Sequence, residues 1–447
     1  MRQQVQTTKG RESWTWGNEK GPLNQLRLRW AVLVVIGLSF HCMTTESFAL
    51  QGAYQIERIA TSRDDSISSI ISQIPTITED GRVLFEANLS RVGTQFSDRT
   101  HFLGDSSQLD VVASILDPDF AGSGIIGSLT GASQANQLGE VVFVGGRGGS
   151  SPSSFIWNPT DGLQPLYNNT GAAGSTFQFS NVDQPSINAS GQVAFIASGQ
   201  GLPNSVFTGD RNGTLPATAL ASTGGPLFEG FTDFMDSQIT DSGEVIVLAN
   251  QGSTRGIYRL ISPGVSEAIV DTNDALIGGV FGFDANNVGE VAFIGTLFDG
   301  TRALLTGDQS GIQLVARENA FFTPFFNEPG INDLGDLIFR GQFLQQEALF
   351  LGSDFANDQL IATGDLLFGE QVTQLFAGSG SINNRGQISF FALSVDPITG
   401  QSSSGIFLAT PTAVPEPSFL SLWLASAIGL LARRRGRSRL KVENVRK

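Results

Sequence analysis

Pro185-Ser186-Ile187-Asn188-Ala189-Ser190-Gly191-Gln192-Val193-Ala194-Phe195-Ile196 is one copy of a unit that can be laid under the chain seven times. Aligned on its glycine, the copies place Gly81, Gly139, Gly191, Gly243, Gly289, Gly335 and Gly386 at spacings of 58, 52, 52, 46, 46 and 51 residues. Three residues before each glycine stand Thr78, Asn136, Asn188, Thr240, Asn286, Asn332 and Asn383. Two after it stand Val83, Val141, Val193, Val245, Val291, Leu337 and Ile388, and four after it Phe85, Phe143, Phe195, Val247, Phe293, Phe339 and Phe390. Four columns agreeing at once mark a repeat architecture, not an isolated binding signature.

The chemistry of these columns is structural. Asn or Thr at the head of the turn hydrogen-bonds its own backbone two residues on, and glycine at its end takes the left-handed conformation of a bulged hairpin. A strand then begins. Val193 and Phe195 share one of its faces, yet Ala194 and Ile196 on the other are apolar too, so both sides must be covered. A sheet stacked between two neighbouring sheets meets that demand.

A second strand follows in each unit, as in Phe102-Leu103-Gly104, Val206-Phe207-Thr208 and Ile406-Phe407-Leu408, and a third in six of them, as in Ala219-Leu220-Ala221 and Leu360-Ile361-Ala362-Thr363. The last unit lacks its third strand. The missing copy stands at the front, as Arg58-Ile59-Ala60-Thr61. An N-terminal strand that completes the final unit is how a ring closes, so the expected fold is all-β: a seven-bladed β-propeller of about four strands per blade. The alternative is an open β-solenoid, which needs no such strand and whose repeats are usually shorter.

Composition fits an all-β body, with 53 Gly and 33 Phe among 447 residues but only 1 Cys and 2 His. The net charge of -15 conceals an asymmetry. Between residues 50 and 432 there are 13 cationic and 38 anionic residues, near -25, and no lysine. Such a field repels nucleic acid and anionic membrane, and associates with Ca²⁺ weakly at most. Cys42 and His41 fall in a leader expected to be removed. Disulfide and thiol-nucleophile chemistry then lack their residues, and the one histidine kept, His101, cannot make a Ser-His-Asp relay plus a zinc site.

Arg27 and Arg29 precede the apolar run Trp30–Leu38, and Ser47-Phe48-Ala49 offers small residues before Leu50, so residues 1–49 read as a signal peptide cut between Ala49 and Leu50. An uncleaved anchor and a lipoprotein signal at Cys42 fit less well. Residues 50–411 form the repeat domain. Residues 412–447 hold Val414-Pro415-Glu416-Pro417, an apolar run from Phe419 to Ala432 that reads as a short transmembrane helix anchoring the chain transiently in the inner membrane, and Arg433-Arg434-Arg435 as its cytoplasmic stop. That order resembles the PEP-CTERM sorting signal of Gram-negative bacteria and cyanobacteria, which implies an exosortase-type processing enzyme as partner beside signal peptidase. A plain C-terminal anchor is the simpler alternative. The repeats resemble the exported tandem-repeat proteins described by NxxGxxAF. Asn188 to Phe195 and Asn286 to Phe293 match it fully, whereas the other copies depart, with Thr78 and Thr240 for Asn, Leu84, Val142, Ile246, Ile338 and Ser389 for Ala, and Val247 for Phe. This resemblance implies export and no catalytic residues.

Candidates for chemistry are few. Asp105, Asp210, Asp308, Asp354 and Asp365 follow strands and read as solvated turn residues. Asp117-Pro118-Asp119 and Asp271-Thr272-Asn273-Asp274 lack the ligand spacing of a calcium loop. Gly145-Gly146-Arg147-Gly148-Gly149 reads as an inter-strand loop. Phe321 to Phe326, like Phe228, Phe231, Phe281 and Phe283, reads as packing between blades, and His101 as a surface or strand-edge residue. The expected function is therefore a non-catalytic, exported cell-envelope or matrix scaffold without cofactor, engaging an extracellular polysaccharide or surface protein. The alternative is a glycoside hydrolase or lyase using carboxylates that converge at a channel mouth.

Overall fold

All seven repeat glycines are left-handed, with φ between 69° and 93°, and each donates its N–H to the carbonyl three residues earlier at 2.9–3.1 Å. Each turn thus joins two antiparallel strands through a three-residue loop closed by a glycine bulge. The computed structural model describes residues 53–412, apart from 65, 72–73, 91–97, 116–125, 148–151, 168–178, 200–201, 214–216 and 325–327. Both chain ends, including Ala49, Leu50, Val414 to Pro417 and Arg433 to Arg435, lie outside the described residues, as do Asp117 to Asp119.

Each unit is one antiparallel sheet, or blade. Blade 3 runs Phe179–Ile187, Gln192–Gly199, Leu202–Asp210 and Thr218–Ser222 from inside to outside. Blade 2 repeats this with Ile126–Ala135 innermost, blade 4 with Phe231–Ile239 and blade 5 with Ile277–Ala285. Blades 1 and 6 split the innermost strand, into Ile67–Ile70 with Thr76–Ile77 and Phe322–Pro324 with Gly330–Ile331. Blade 7 combines Glu370–Phe376, Ile388–Val395 and Ser402–Pro411 with the N-terminal strand Tyr54–Thr61. The pairing runs from Tyr54 opposite Pro411 to Thr61 opposite Gly405. The chain is therefore a closed seven-bladed β-propeller, and no open solenoid.

The both-faces-apolar strand finds its reason here. Val193, Ala194, Phe195, Ile196 and Ala197 are all buried, because each blade packs against two neighbours. Seven apolar clusters result, one per junction. Val142 and Ile156 of blade 2 meet Phe179, Phe195 and Phe207 of blade 3, and the last junction joins Phe391, Ile406 and Ile59 of blade 7 to Phe85 and Phe102 of blade 1. A buried aromatic of this size contributes roughly 1.5–3 kcal/mol, so packing at the junctions is a large part of what holds the blades together.

Three expectations need correction. The innermost strand of each blade, which ends at the Asn turn, is absent from the sequence reading. Gly145, Gly146 and Arg147 belong to the strand Val141–Arg147, because the sheet partner Pro152–Asn158 continues their ladder. His101 is no edge residue: it is 1% exposed, in mid-strand opposite Glu86, with its ring edge-on to Phe143 of blade 2 at 5.1 Å. Burial, then the Arg99 charge, pushes its pKa down to about 3, so it stays neutral.

Candidate functional site

The Asn turns all lie on one face of the ring, and their side chains work at both ends. Asn188 Oδ1 accepts the N–H groups of Ser190 and Gln192 at 3.1 and 2.9 Å, while its Nδ2 donates to the Thr240 carbonyl of the next blade at 2.9 Å. Asn136, Asn286, Asn332 and Asn383 reach Asn188, Asn332, Asn383 and Thr78 in the same way, each at 3.0 Å. The amide carries its acceptor and its donor on separate atoms, so one side chain serves its own turn and the next blade together. Thr78 and Thr240 keep the first role, accepting the N–H groups of Arg82 and Glu244, and leave two junctions without the second. A further belt runs through the next residue: Ala189 N–H to Asp241, Asp241 to Asn287, Asn287 to Asp333, Asp333 to Asn384 and Asn384 to Glu79, at 2.7–3.1 Å.

Behind this face every innermost strand loses register at one height. In blades 2, 3, 4 and 5 the breaks fall between Thr130 and Gln134, Asp183 and Ser186, Phe234 and Asp236, and Val280 and Phe283. In blades 1, 6 and 7 the inner side advances six residues for three on its partner, from Ile70 to Thr76, Pro324 to Gly330 and Phe376 to Ile382. Bulges re-aim side chains, and here they turn polar ones into the channel.

The result is a cavity of about 440 Å³ walled by six of the seven blades. Gln184, Asp236, Glu328 and Ser379 line it, with Gln134 and Gln238 beside them. Toward the Asn turns the channel is crossed by hydrogen bonds. Gln238 Nε2 donates to Ser379 Oγ at 3.3 Å, and Ser379 Oγ donates to Asp284 Oδ1 at 2.7 Å, tying blades 4, 5 and 7. Asp284 also accepts the N–H groups of Ile331 and Gly380, at 2.9 and 3.3 Å. On its far side a vestibule of about 140 Å³ opens among the Asn turns.

Three carboxyls feel one another. Burial, then the charges of Asp236 and Asp284, pushes Glu328 up to about 8. Burial raises Asp236 to about 6, helped by Asp284 and Asp183 and opposed by the Ser237 N–H. Burial likewise raises Asp284 to about 6 against its four hydrogen bonds. At neutral pH Glu328 is protonated, able to donate and accept, while the two aspartates are mostly ionised. The opposite wall holds Arg99, whose Nη2 donates to Glu86 Oε2 at 2.9 Å. The same ion pair recurs with its charges exchanged at the matching positions of blade 6, Arg340 and Glu347, at 2.9 Å. With Arg99 neutralised, the cavity is net negative.

The carboxylates singled out in the sequence do not meet there. Asp105 and Asp308 cap their own turns, accepting from Ser107 and Ser310. Asp210 ends the strand Leu202–Asp210 opposite Gln192, Asp354 stands in a loop where its carbonyl accepts the Asn357 N–H at 2.8 Å, and buried Asp365 accepts the Ala362 N–H at 2.9 Å. Asp271 and Asp274 accept the Asn273 and Leu276 N–H groups, as ordinary turn residues do. Phe322 is core, stacked on Phe355 at 3.7 Å, as are Phe231 and Phe283, whereas Phe228 and Phe321 are exposed. Among the described residues no three His, Cys, Asp or Glu side chains group as metal ligands.

A signal for the site does exist in the sequence. Seven residues before the turn glycines stand Ile74, Ala132, Gln184, Asp236, Gly282, Glu328 and Ser379, and five of these line the cavity. Five residues before the same glycines, Thr76, Gln134, Ser186, Gln238, Asp284, Gly330 and Ser381 form a second, mostly polar column.

No curated protein matches the chain. Among solved structures it is similar to prolyl oligopeptidase B from Galerina marginata, with 11% identity and TM-score 0.47, over 84% of this chain and 53% of that one. It is similar also to an oligogalacturonate lyase from Vibrio parahaemolyticus, with 12% identity and TM-score 0.40, over 81% and 98%. A third is PorZ, a surface component of the Porphyromonas gingivalis type-IX secretion system, with 14% identity and TM-score 0.42, over 80% and 48%. The chain spans about half the length of the prolyl peptidases it matches. One family model covers most of the chain, over residues 53–272 and 285–412, and the chain belongs to that family, DUF7453, a family of unknown function.

Proposed function

We propose that the chain is an exported, non-catalytic binding propeller whose recognition site is the channel cavity, and that the cavity takes a neutral or amine-bearing polyhydroxyl segment of an extracellular polymer. One observation carries this reading: hydroxyl, amide and carboxyl groups from blades far apart in sequence converge on a cavity of about 440 Å³. Gln134, Gln184 and Gln238 offer donors and acceptors, protonated Glu328 offers both, and Asp236 accepts only. A ligand rich in hydroxyl or ammonium donors satisfies them. A uronate or sulfate meets two ionised carboxylates with Arg99 already engaged, and is repelled.

A glycan array followed by titration calorimetry of the propeller tests this. Binding of neutral or amino glycans, weakened tenfold or more by Asp236→Ala, is expected. Preference for uronates would overturn the reading.

A specific observation favours a second reading. A protonated carboxyl, Glu328, beside an ionised one, Asp236, is the pairing that glycoside hydrolysis uses. It predicts release of reducing ends from a bound glycan, abolished by Glu328→Gln, whereas a binding propeller leaves the glycan intact. Export itself is proposed from the two termini. Mass spectrometry of the mature protein should find Leu50 at its start, and a shortened C-terminus if the Val414-to-Pro417 signal is processed.

A further inference from the structure

We infer that the face carrying the Asn turns is the face held toward the bilayer, with the opposite face directed away. The inference rests on the proposal that Phe419 to Ala432 enter a membrane. It follows from where the propeller releases its ends. The strand Ser402–Pro411 climbs to the Asn-turn face of blade 7, where Gln387, next to the turn glycine Gly386, donates from Nε2 to Thr410 Oγ1 at 3.2 Å. Beyond it, Thr412 donates its N–H to the Ala53 carbonyl at 2.7 Å, so both ends of the domain leave at this face.

Length then decides the orientation. Residues 413–418 alone separate Thr412 from the apolar run. Six residues span at most about 20 Å. The innermost strand Phe231–Ile239 has nine residues, which makes the ring about 30 Å tall at roughly 3.3 Å per residue. A tether of that length cannot bring the far face onto the membrane that holds its other end.

The near face is also dressed for a lipid surface. The residue just before the turn glycine is apolar and exposed in three blades, as Leu138 at 59%, Val288 at 70% and Leu334 at 71%. Leu334 stands next to the exit, lining with Tyr54 and Pro411 a hollow of about 330 Å³. Asp241 and Asp333 on this face are engaged by the belt of hydrogen bonds, and their charge disfavours anionic headgroups. The partner is therefore a zwitterionic lipid surface, touched by apolar tips while the tail holds the chain.

Energy transfer to the bilayer tests the orientation. The full chain, in a Cys42→Ser background, carries one donor-labelled cysteine at a time: Val288→Cys or Leu334→Cys on the near face, Phe298→Cys or Ile398→Cys in hairpins of the far face. It is reconstituted in phosphatidylcholine vesicles containing an acceptor lipid. The near-face sites should transfer at least twice as efficiently as the far-face sites, and combined Leu138→Ser and Leu334→Ser should reduce transfer from position 288. Flotation with the vesicles but equal or stronger transfer from the far face overturns the orientation and leaves the membrane tail standing. Failure to float overturns the tail reading, and the orientation with it.

Discussion

Asn332→Thr repeats in blade 6 what the chain already does at Thr78 and Thr240, and so separates the two roles of the repeat asparagine. In the native turn Asn332 Oδ1 accepts the Leu334 and Asp336 N–H groups at 3.0 and 2.8 Å, and Nδ2 donates to the Asn383 carbonyl and to Asp336 Oδ2, both at 3.0 Å. Threonine can still accept inside the turn but cannot donate to the next blade. The Asn383 carbonyl keeps the Gly386 N–H at 3.0 Å, and exposed Asp336 regains water, so neither group is stranded. The cost is then one buried hydrogen bond, about 1–1.5 kcal/mol. Asn332→Ala also abandons two turn N–H groups and should cost about 3 kcal/mol. Thr240→Asn, facing the Asn286 carbonyl, should add about 1 kcal/mol. Urea unfolding of the propeller measures all three. If Asn332→Thr is indistinguishable from the native chain while Asn332→Ala is not, the inter-blade bond contributes nothing and the reasoning is refuted.

The cavity acids set a pH dependence of unusual sign. Glu328 is raised from 4.5 to about 8, so between those pH values the folded chain holds a proton the unfolded chain has lost. Stability therefore falls as pH rises through that window, by at most about 5 kcal/mol and, with cavity water screening the group, by roughly half of that. Glu328→Gln should remove this part of the fall, as read by denaturation at pH 5 and pH 9; an unchanged difference would falsify the assignment. In blade 1, Arg99→Met strands the buried Glu86 carboxylate and should cost about 3–5 kcal/mol, whereas Glu86→Ile with Arg99→Met copies the apolar column of Ile196 and Ile294 and should recover most of it. Thermal unfolding of the single and double variants decides, and equal losses would show that the pair is no unit. Deleting residues 54–61 should leave a chain that aggregates at the exposed edge of Ser402–Pro411, visible by light scattering.

The ring and its closure were legible because every copy must solve the same turn and the same two-sided burial. Asn, Gly and the Val-x-Phe alternation are the local answers, and Arg58 to Thr61 could be recognised by likeness to Leu360 to Thr363. The innermost strands were hidden by their own bulges. A register break between Asp183 and Ser186, or Val280 and Phe283, spoils the alternation by which a strand is read. Channel-facing positions also need not be apolar. Asp236, Asp284 and Glu328 thus looked like scattered acids until the ring brought them together, and the turn carboxylates, conspicuous in sequence, proved to be caps. His101 was misjudged because polarity suggested a surface, while its neutral ring fills a junction.

The seam at blade 7 bears on how such a chain is made. Tyr54–Thr61 is among the first described segments to emerge during synthesis, and its partner Ser402–Pro411 is the last. A contact of such separation is slow to form and late. Until the C-terminal strand arrives the sheet stays unsealed, which suits the export proposed above, in which the chain would thread a channel unfolded. Folding would then be timed by translocation itself, and a product truncated before residue 402 could not close.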